Sequence, residues 1–292
     1  MTLPAAPALT RALGRPGRLA VRPGPLLATG FLLLVALAFV WPSLLAPAPP
    51  DATGPDLLAA PSAAHPLGTD QLGRDLLSRI VHGARPSLTI GLGATAIGVS
   101  AGSVLGVLAA TAGRAVDEAI MRVSDVFLAF PGLLLALLVV AVLGPGTGNA
   151  TLAIGCSLTP GFVRLARSQA LLVRESDYVR AAVVLGRPPR SLFLRHLMPN
   201  ALPPVLVLAM IHVGTAIIAG SSLSFLGLGP APPTPEWGAM LAEGREFLDS
   251  AWTVAVFPGV AVTATVVSVN VAGRALQRRF EGRLPDVAEK GR

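Results

Sequence analysis

Chemistry needs reactive side chains at spacings that let them meet, and this 292-residue sequence offers few. Its four histidines, His65, His82, His196 and His212, are scattered, with no paired-ligand spacing such as His-Glu-x-x-His for a catalytic metal. His65 and His82 read as ordinary loop histidines, so no metal and no cofactor is expected. Cys156 is the single cysteine, which excludes an internal disulfide and a Cys-rich metal site. A phosphate-binding loop ends in Lys-Ser or Lys-Thr, and the one lysine is Lys290. Any ATP-driven work must therefore be done by a partner. The ionisable groups nearest the middle of apolar stretches are Asp125 and His212. A membrane-embedded enzyme would need such groups paired. His212 reads equally as a pathway residue or as a neutral, hydrogen-bonded histidine facing a bundle.

Such sparse chemistry matches the elements that would carry it. The chain is 52% hydrophobic and 13% charged, half the charge of an average soluble domain at about 25%. Mean hydropathy is +0.66. The two-residue alternation of a transmembrane β-barrel is absent. Net charge is +7, but the arginines sit between apolar runs, so nucleic acid is not an expected partner. Leu26 to Ala46 carries no charge and is long enough to span a bilayer. A cleaved signal peptide, with Ala46-Pro47-Ala48 as its site, is the competing reading. Further apolar segments lie at about 86–112, 120–143, 201–226 and 251–273. A segment at 149–170 is interrupted by Pro160-Gly161 and admits Arg164 and Arg167, which places it inside the bundle.

Six spans with a cytoplasmic N-terminus put nineteen basic residues inside and four outside (Arg74, Arg79, Arg85 and Arg245). That asymmetry sets both termini in the cytoplasm. The expectation is an all-α membrane protein of six transmembrane helices. Its divisions are a tail at 1–25, a first helix at 26–46, an external loop at 47–85, a five-helix core at 86–273 and a tail at 274–292. Within the second span Ala94, Gly98, Gly102, Gly106 and Ala110 recur every fourth residue and form a face for close helix packing.

The cytoplasmic loop at 171–200 is the most informative stretch. Ser176 or Asp177 can cap a short helix through Tyr178, Val179, Arg180, Ala181, Ala182, Val183, Val184 and Leu185. Gly186 supplies a left-handed stop, and Pro188-Pro189 prevents continuation. A second short helix at 190–197 is halted before Pro199. The result is a compact knob, apolar on one face and rimmed by arginines, which suits docking better than solvation.

This loop resembles that of inner-membrane permease subunits of binding-protein-dependent ABC importers, which read Glu-Ala-Ala, three residues, Gly, nine residues, Ile-x-Leu-Pro. Here Arg180-Ala181-Ala182 precedes Gly186, and Pro199 keeps its place; Arg180 replaces the glutamate, and His196, Leu197 and Met198 stand at Ile-x-Leu. His65 to Asp75, Ala129-Phe130-Pro131, Val142 to Gly146, Ser222 to Gly229 and Pro232 to Gly238 resemble blocks of the dipeptide/oligopeptide/nickel branch, in family order and closest to its C-type subunit. Gly220 and Arg274 stand where relatives usually carry acids. The resemblance implies the type I ABC importer permease architecture, in a bacterial cytoplasmic membrane. It implies a second, different permease subunit, two ATP-binding subunits and an extracytoplasmic solute-binding protein as partners. It also implies that the helix around Arg180 to Gly186 couples to an ATPase, and that the solute is a peptide or a related small molecule. An ion-gradient-driven secondary transporter and a membrane-embedded enzyme are the alternatives.

Overall fold

The computed structural model describes residues 23–281 apart from 193, 194 and 196. Most of the two expected tails, including the basic residues at 11, 15, 18, 22, 283, 290 and 292, lies outside the described residues, as does His196. Among the described residues ten α-helices follow in order: α1 Pro23–Val40, α2 Leu76–Thr111, α3 Arg114–Leu128, α4 Gly132–Leu143, α5 Thr147–Arg174, α6 Asp177–Val184, α7 Pro189–Leu192, α8 Met198–Phe225, α9 Trp237–Gly244 and α10 Thr253–Glu281. No β-strand is found among the described residues.

Three helices, α2, α8 and α10, are individually long and apolar enough to cross a membrane. The apolar α1 is shorter. It ends at Val40 rather than 46, because Pro42 disfavours helical backbone at Trp41 and opens a tight turn over Pro42–Leu44. At the other side of the external segment, α2 begins ten residues before the expected 86. Asp75 caps it, its carboxylate accepting from the Ser78 amide at 2.8 Å. The connection expected as an external loop at 47–85 is correspondingly shorter, and Arg79 and Arg85 are helical.

The expected span at 120–143 is not one straight helix. α3 and α4 meet at 93° across Ala129-Phe130-Pro131. Pro131 occupies the N-cap position of α4 with extended backbone (φ −56°, ψ 128°), and its missing N–H cannot continue the ladder of α3. Pro160, by contrast, interrupts nothing: α5 runs unbroken through it, with the ring buried. Nearby, the Ser157 and Thr159 hydroxyls donate to the carbonyls of Ile154 and Gly155, the usual back-bonding of hydroxyl side chains within a helix.

α5 is the central helix, packed along α2. The small-residue stripe makes that contact. A Cβ at Gly98 would lie 3.0 Å from Leu158 Cβ, and one at Gly106 2.7 Å from Ala166 Cβ. At Gly102 it would strike Phe162 Cβ, while Ala94 is fully buried. Replacing Gly102 by leucine is therefore expected to cost about 1–3 kcal/mol or more through overpacking. The check is the thermal midpoint of the purified subunit, which should fall clearly below that of Gly161→Leu, where the added Cβ meets nothing.

A second apolar core gathers α1, α2, α8, α9 and α10 around Leu76, Ala84, Ile217, Met240 and Trp237. The Trp237 indole donates to the Ile80 carbonyl at 2.9 Å, and Gly83 leaves room for its ring. Glu236 is fully buried yet satisfied: its carboxylate accepts from the Ser87 hydroxyl at 2.8 Å and from the Ala239 amide at 2.9 Å, capping α9.

Candidate functional site

The loop at 171–200 folds into two short helices. Ser176 takes the N-cap position of α6, but its hydroxyl donates back to the Val173 carbonyl instead of capping. At the other end Gly186 adopts φ +70°. The Gly186 amide donates to Val183 at 2.9 Å and the Arg187 amide to Ala182 at 3.1 Å, the paired bonds of a Schellman motif. α7 starts at Pro189. The second helix was expected over 190–197, and its later part falls partly outside the described residues. Pro199 is not a terminator but sits in the first turn of α8, where its missing N–H would be unpaired in any case.

The two faces of α6 differ sharply. Val179 and Ala182 are buried and anchor it to the protein. Tyr178, Ala181 and Val183 are exposed, as are Val184 at 85% and Leu185 at 79%. Arg180 and Arg187 flank this apolar end and are exposed too. A contiguous exposed apolar surface with a basic rim is the form of a protein-docking site. The end of α5 that leads into α6 is tied to α2: Arg174, on the last turn of α5, donates to the Ala110 carbonyl near the end of α2 at 2.8 Å.

His212 lies on α8, half-buried, with its ring 5.0 Å from and edge-on to Phe162 of α5. Its buried Nδ1 has no hydrogen-bond partner. The structure does not bring His212 together with Asp125, which instead accepts from Arg164 at 2.7 Å. Gly220 is packed so tightly that a Cβ would lie 2.6 Å from Ile90 Cγ2, so the missing acid matches a site with no room for a side chain. Arg274 is exposed on α10. His65 meets Asp75 at 3.0 Å, His82 lies 2.9 Å from the Ser78 carbonyl, and no group that could hold a metal occurs among the described residues.

Sequence reasoning missed a charged cluster at the opposite end of the bundle. Asp70 accepts from Arg74 Nε at 2.6 Å and stands 3.3 Å from Arg79 Nε; both arginines also face Glu243, at 3.5 and 3.4 Å. Asp70, Arg74 and Arg79 are all buried. This cluster ties the segment before α2 to α9. The spacing Asp70–Arg74 was a usable signal; Glu243, far along the chain, was not.

The described residues thus form a helical bundle with a buried charged cluster at one end and an exposed apolar helix end at the other. The chain belongs to the family described as binding-protein-dependent transport system inner membrane component, whose profile matches residues 102–285. It is 39% identical over 265 residues to a di/tripeptide transport system permease protein of Pseudomonas aeruginosa, covering 88% of each chain. It is 40% identical to a glutathione transport system permease protein of Pectobacterium atrosepticum, over 87% of this chain and 84% of the relative. A probable D,D-dipeptide transport system permease protein of Escherichia coli is 42% identical, over 83% and 82%. Among solved structures, an inward-facing MetNI methionine ABC transporter matches with TM-score 0.55 at 18% identity, over 70% of this chain and 97% of that one. The fold is therefore the type I importer permease architecture. The protein is a permease subunit of a binding-protein-dependent ABC importer, a multi-pass inner-membrane component that works with ATPase and solute-binding partners.

Proposed function

We propose that this chain forms one half of a translocation path for peptides or closely related small solutes, beside a second, different permease subunit. Six crossings, with the α3–α4 pair as one bent span, put both termini and α6 in the cytoplasm. Two ATPase subunits hydrolyse ATP, and each receives the short helix of one permease in a surface groove; here that helix is α6. A solute-binding protein delivers its cargo to the outer face around residues 47–75 and 229–250. The observation that carries the coupling role is the exposed apolar end of α6, held on a buried anchor of Val179 and Ala182. Relatives named for di/tripeptide and glutathione transport, about 40% identical over most of the chain, support the substrate class.

The test is uptake of radiolabelled dialanine and of glutathione by proteoliposomes holding the complete transporter and its binding protein. Saturable, ATP-dependent entry of either solute is expected. Entry of neither, with the same vesicles taking up a non-peptide solute, would overturn the substrate assignment.

A further inference from the structure

α3 begins at the same end of the bundle as α6. It runs from Arg114 to Leu128 beside the second half of α5, and two ion pairs hold it there. Asp117 takes Arg167 in a two-pronged contact, 2.5 Å to Nε and 2.6 Å to Nη2. Two turns on, Asp125 accepts from Arg164 Nη2 at 2.7 Å. The acids are both on α3 and the arginines both on α5, so this is a paired attachment along one edge. The two-pronged, charge-assisted Asp117–Arg167 contact fixes orientation as well as separation, and the single Asp125–Arg164 bond, between exposed side chains, adds a second point along the same edge.

Beneath that edge the packing is open. Val123, Ser124 and Phe127 of α3 face Ile97, Ala101 and Leu105 of α2 and Cys156, Thr159, Pro160 and Val163 of α5 across an apolar crevice of about 290 Å3. The crevice opens onto the surface, with Val123 and Phe127 exposed, so α3 is not close-packed there and has space to rock toward α5. The far end of α3 leads straight into the 93° bend before α4. The far end of α5 leads, through Glu175 and Ser176 alone, into α6.

We infer that α3 is a lever: the Asp117–Arg167 and Asp125–Arg164 pairs carry the displacement of α6 through α5 to the bend between α3 and α4, and the crevice closes as α3 rocks inward. The four residues are positioning residues, acting on the path through the helices they join. The inference rests on α6 being the ATPase-facing element. A two-state device of this kind needs contacts that persist through the stroke and a gap that does not.

Cys156, the single cysteine of the chain, lines the crevice and reports its closure without substitution. In proteoliposomes holding the complete transporter, its modification by a membrane-permeant maleimide, read by mass spectrometry of the Cys156 peptide, should slow about tenfold on trapping with ATP and vanadate, within the range of ordinary coupling between sites. In the same vesicles the Asp117→Asn/Asp125→Asn double variant should raise ATP split per dialanine carried about tenfold and lose the labelling change. The exchange Asp117→Arg with Arg167→Asp should restore part of both. Labelling that ignores nucleotide state in the unsubstituted transporter overturns the lever. So does normal coupling in the double variant while a Gly186→Val variant is uncoupled, a result that leaves the role of α6 standing. Normal coupling in both would remove the role of α6 and the lever with it.

Discussion

Replacing Gly186 by valine is expected to leave the assembled transporter hydrolysing ATP while solute uptake falls about tenfold or more. Gly186 holds φ +70°, and a β-branched side chain there costs roughly 1–2 kcal/mol in local backbone strain. A Cβ at this position meets nothing, so crowding plays no part and the damage is confined to the chain direction. What the strain disturbs is the pair of bonds from the Gly186 and Arg187 amides, which aim Val184 and Leu185 outward. An ATPase groove shaped for that aim would lose its grip, and the stroke would no longer reach α5. Asparagine tolerates the left-handed conformation, so Gly186→Asn should retain most coupled uptake. The measurement is ATP hydrolysed per solute carried, compared across the three proteins. Equal coupling in all three would separate α6 from energy transfer.

The largest effect on stability is expected at the other end of the bundle. Among the described residues, Asp70→Ala leaves Glu243, at least 3.4 Å away and partly exposed, as the one acid within 4 Å of the buried guanidinium groups of Arg74 and Arg79. It also strips acceptors from the Leu72 and Arg74 amides, now bonded at 2.9 and 3.0 Å. Breaking a buried pair from one side costs about 3–5 kcal/mol, because the remaining charge stays buried without compensation. The thermal midpoint of the detergent-purified subunit should drop steeply. Glu118→Ala removes the exposed pair with Arg114 and should leave that midpoint almost unchanged. A small effect at Asp70 would show that the charged cluster does not hold the external segment in place.

The two ends of the molecule also differ in how far they can be read from residues alone. α6 and its left-handed stop are legible because every determinant is local: a short helical run, one glycine and two prolines within fourteen residues. The stripe from Ala94 to Ala110 is legible for the same reason, since small residues four apart must share a helix face. The early start of α2 is harder. Arg79 and Arg85 look like loop residues until Asp75 is seen capping the Ser78 amide and Arg85 is seen donating to the Phe39 and Val40 carbonyls of α1. The bend at Pro131 hides inside a run of apolar residues whose composition is that of a straight span. The lock around Asp70 is only partly local: Asp70 and Arg74 stand four apart, but Glu243 joins from α9, and no spacing rule connects it to them. Asp117 and Asp125 likewise gain meaning only when α5 brings Arg167 and Arg164 alongside.

The central claim is that this subunit passes solute through the membrane on energy delivered from ATP at α6. Uptake of labelled dialanine into sealed proteoliposomes carrying the complete transporter, its ATPase domains facing the lumen, tests that claim most directly. Uptake is expected to require lumenal ATP, to persist when a protonophore collapses the ion gradient, and to be lost in the Gly186→Val subunit. Uptake that survives ATP depletion and collapses with the protonophore would contradict it, and would make the chain an ion-driven carrier instead.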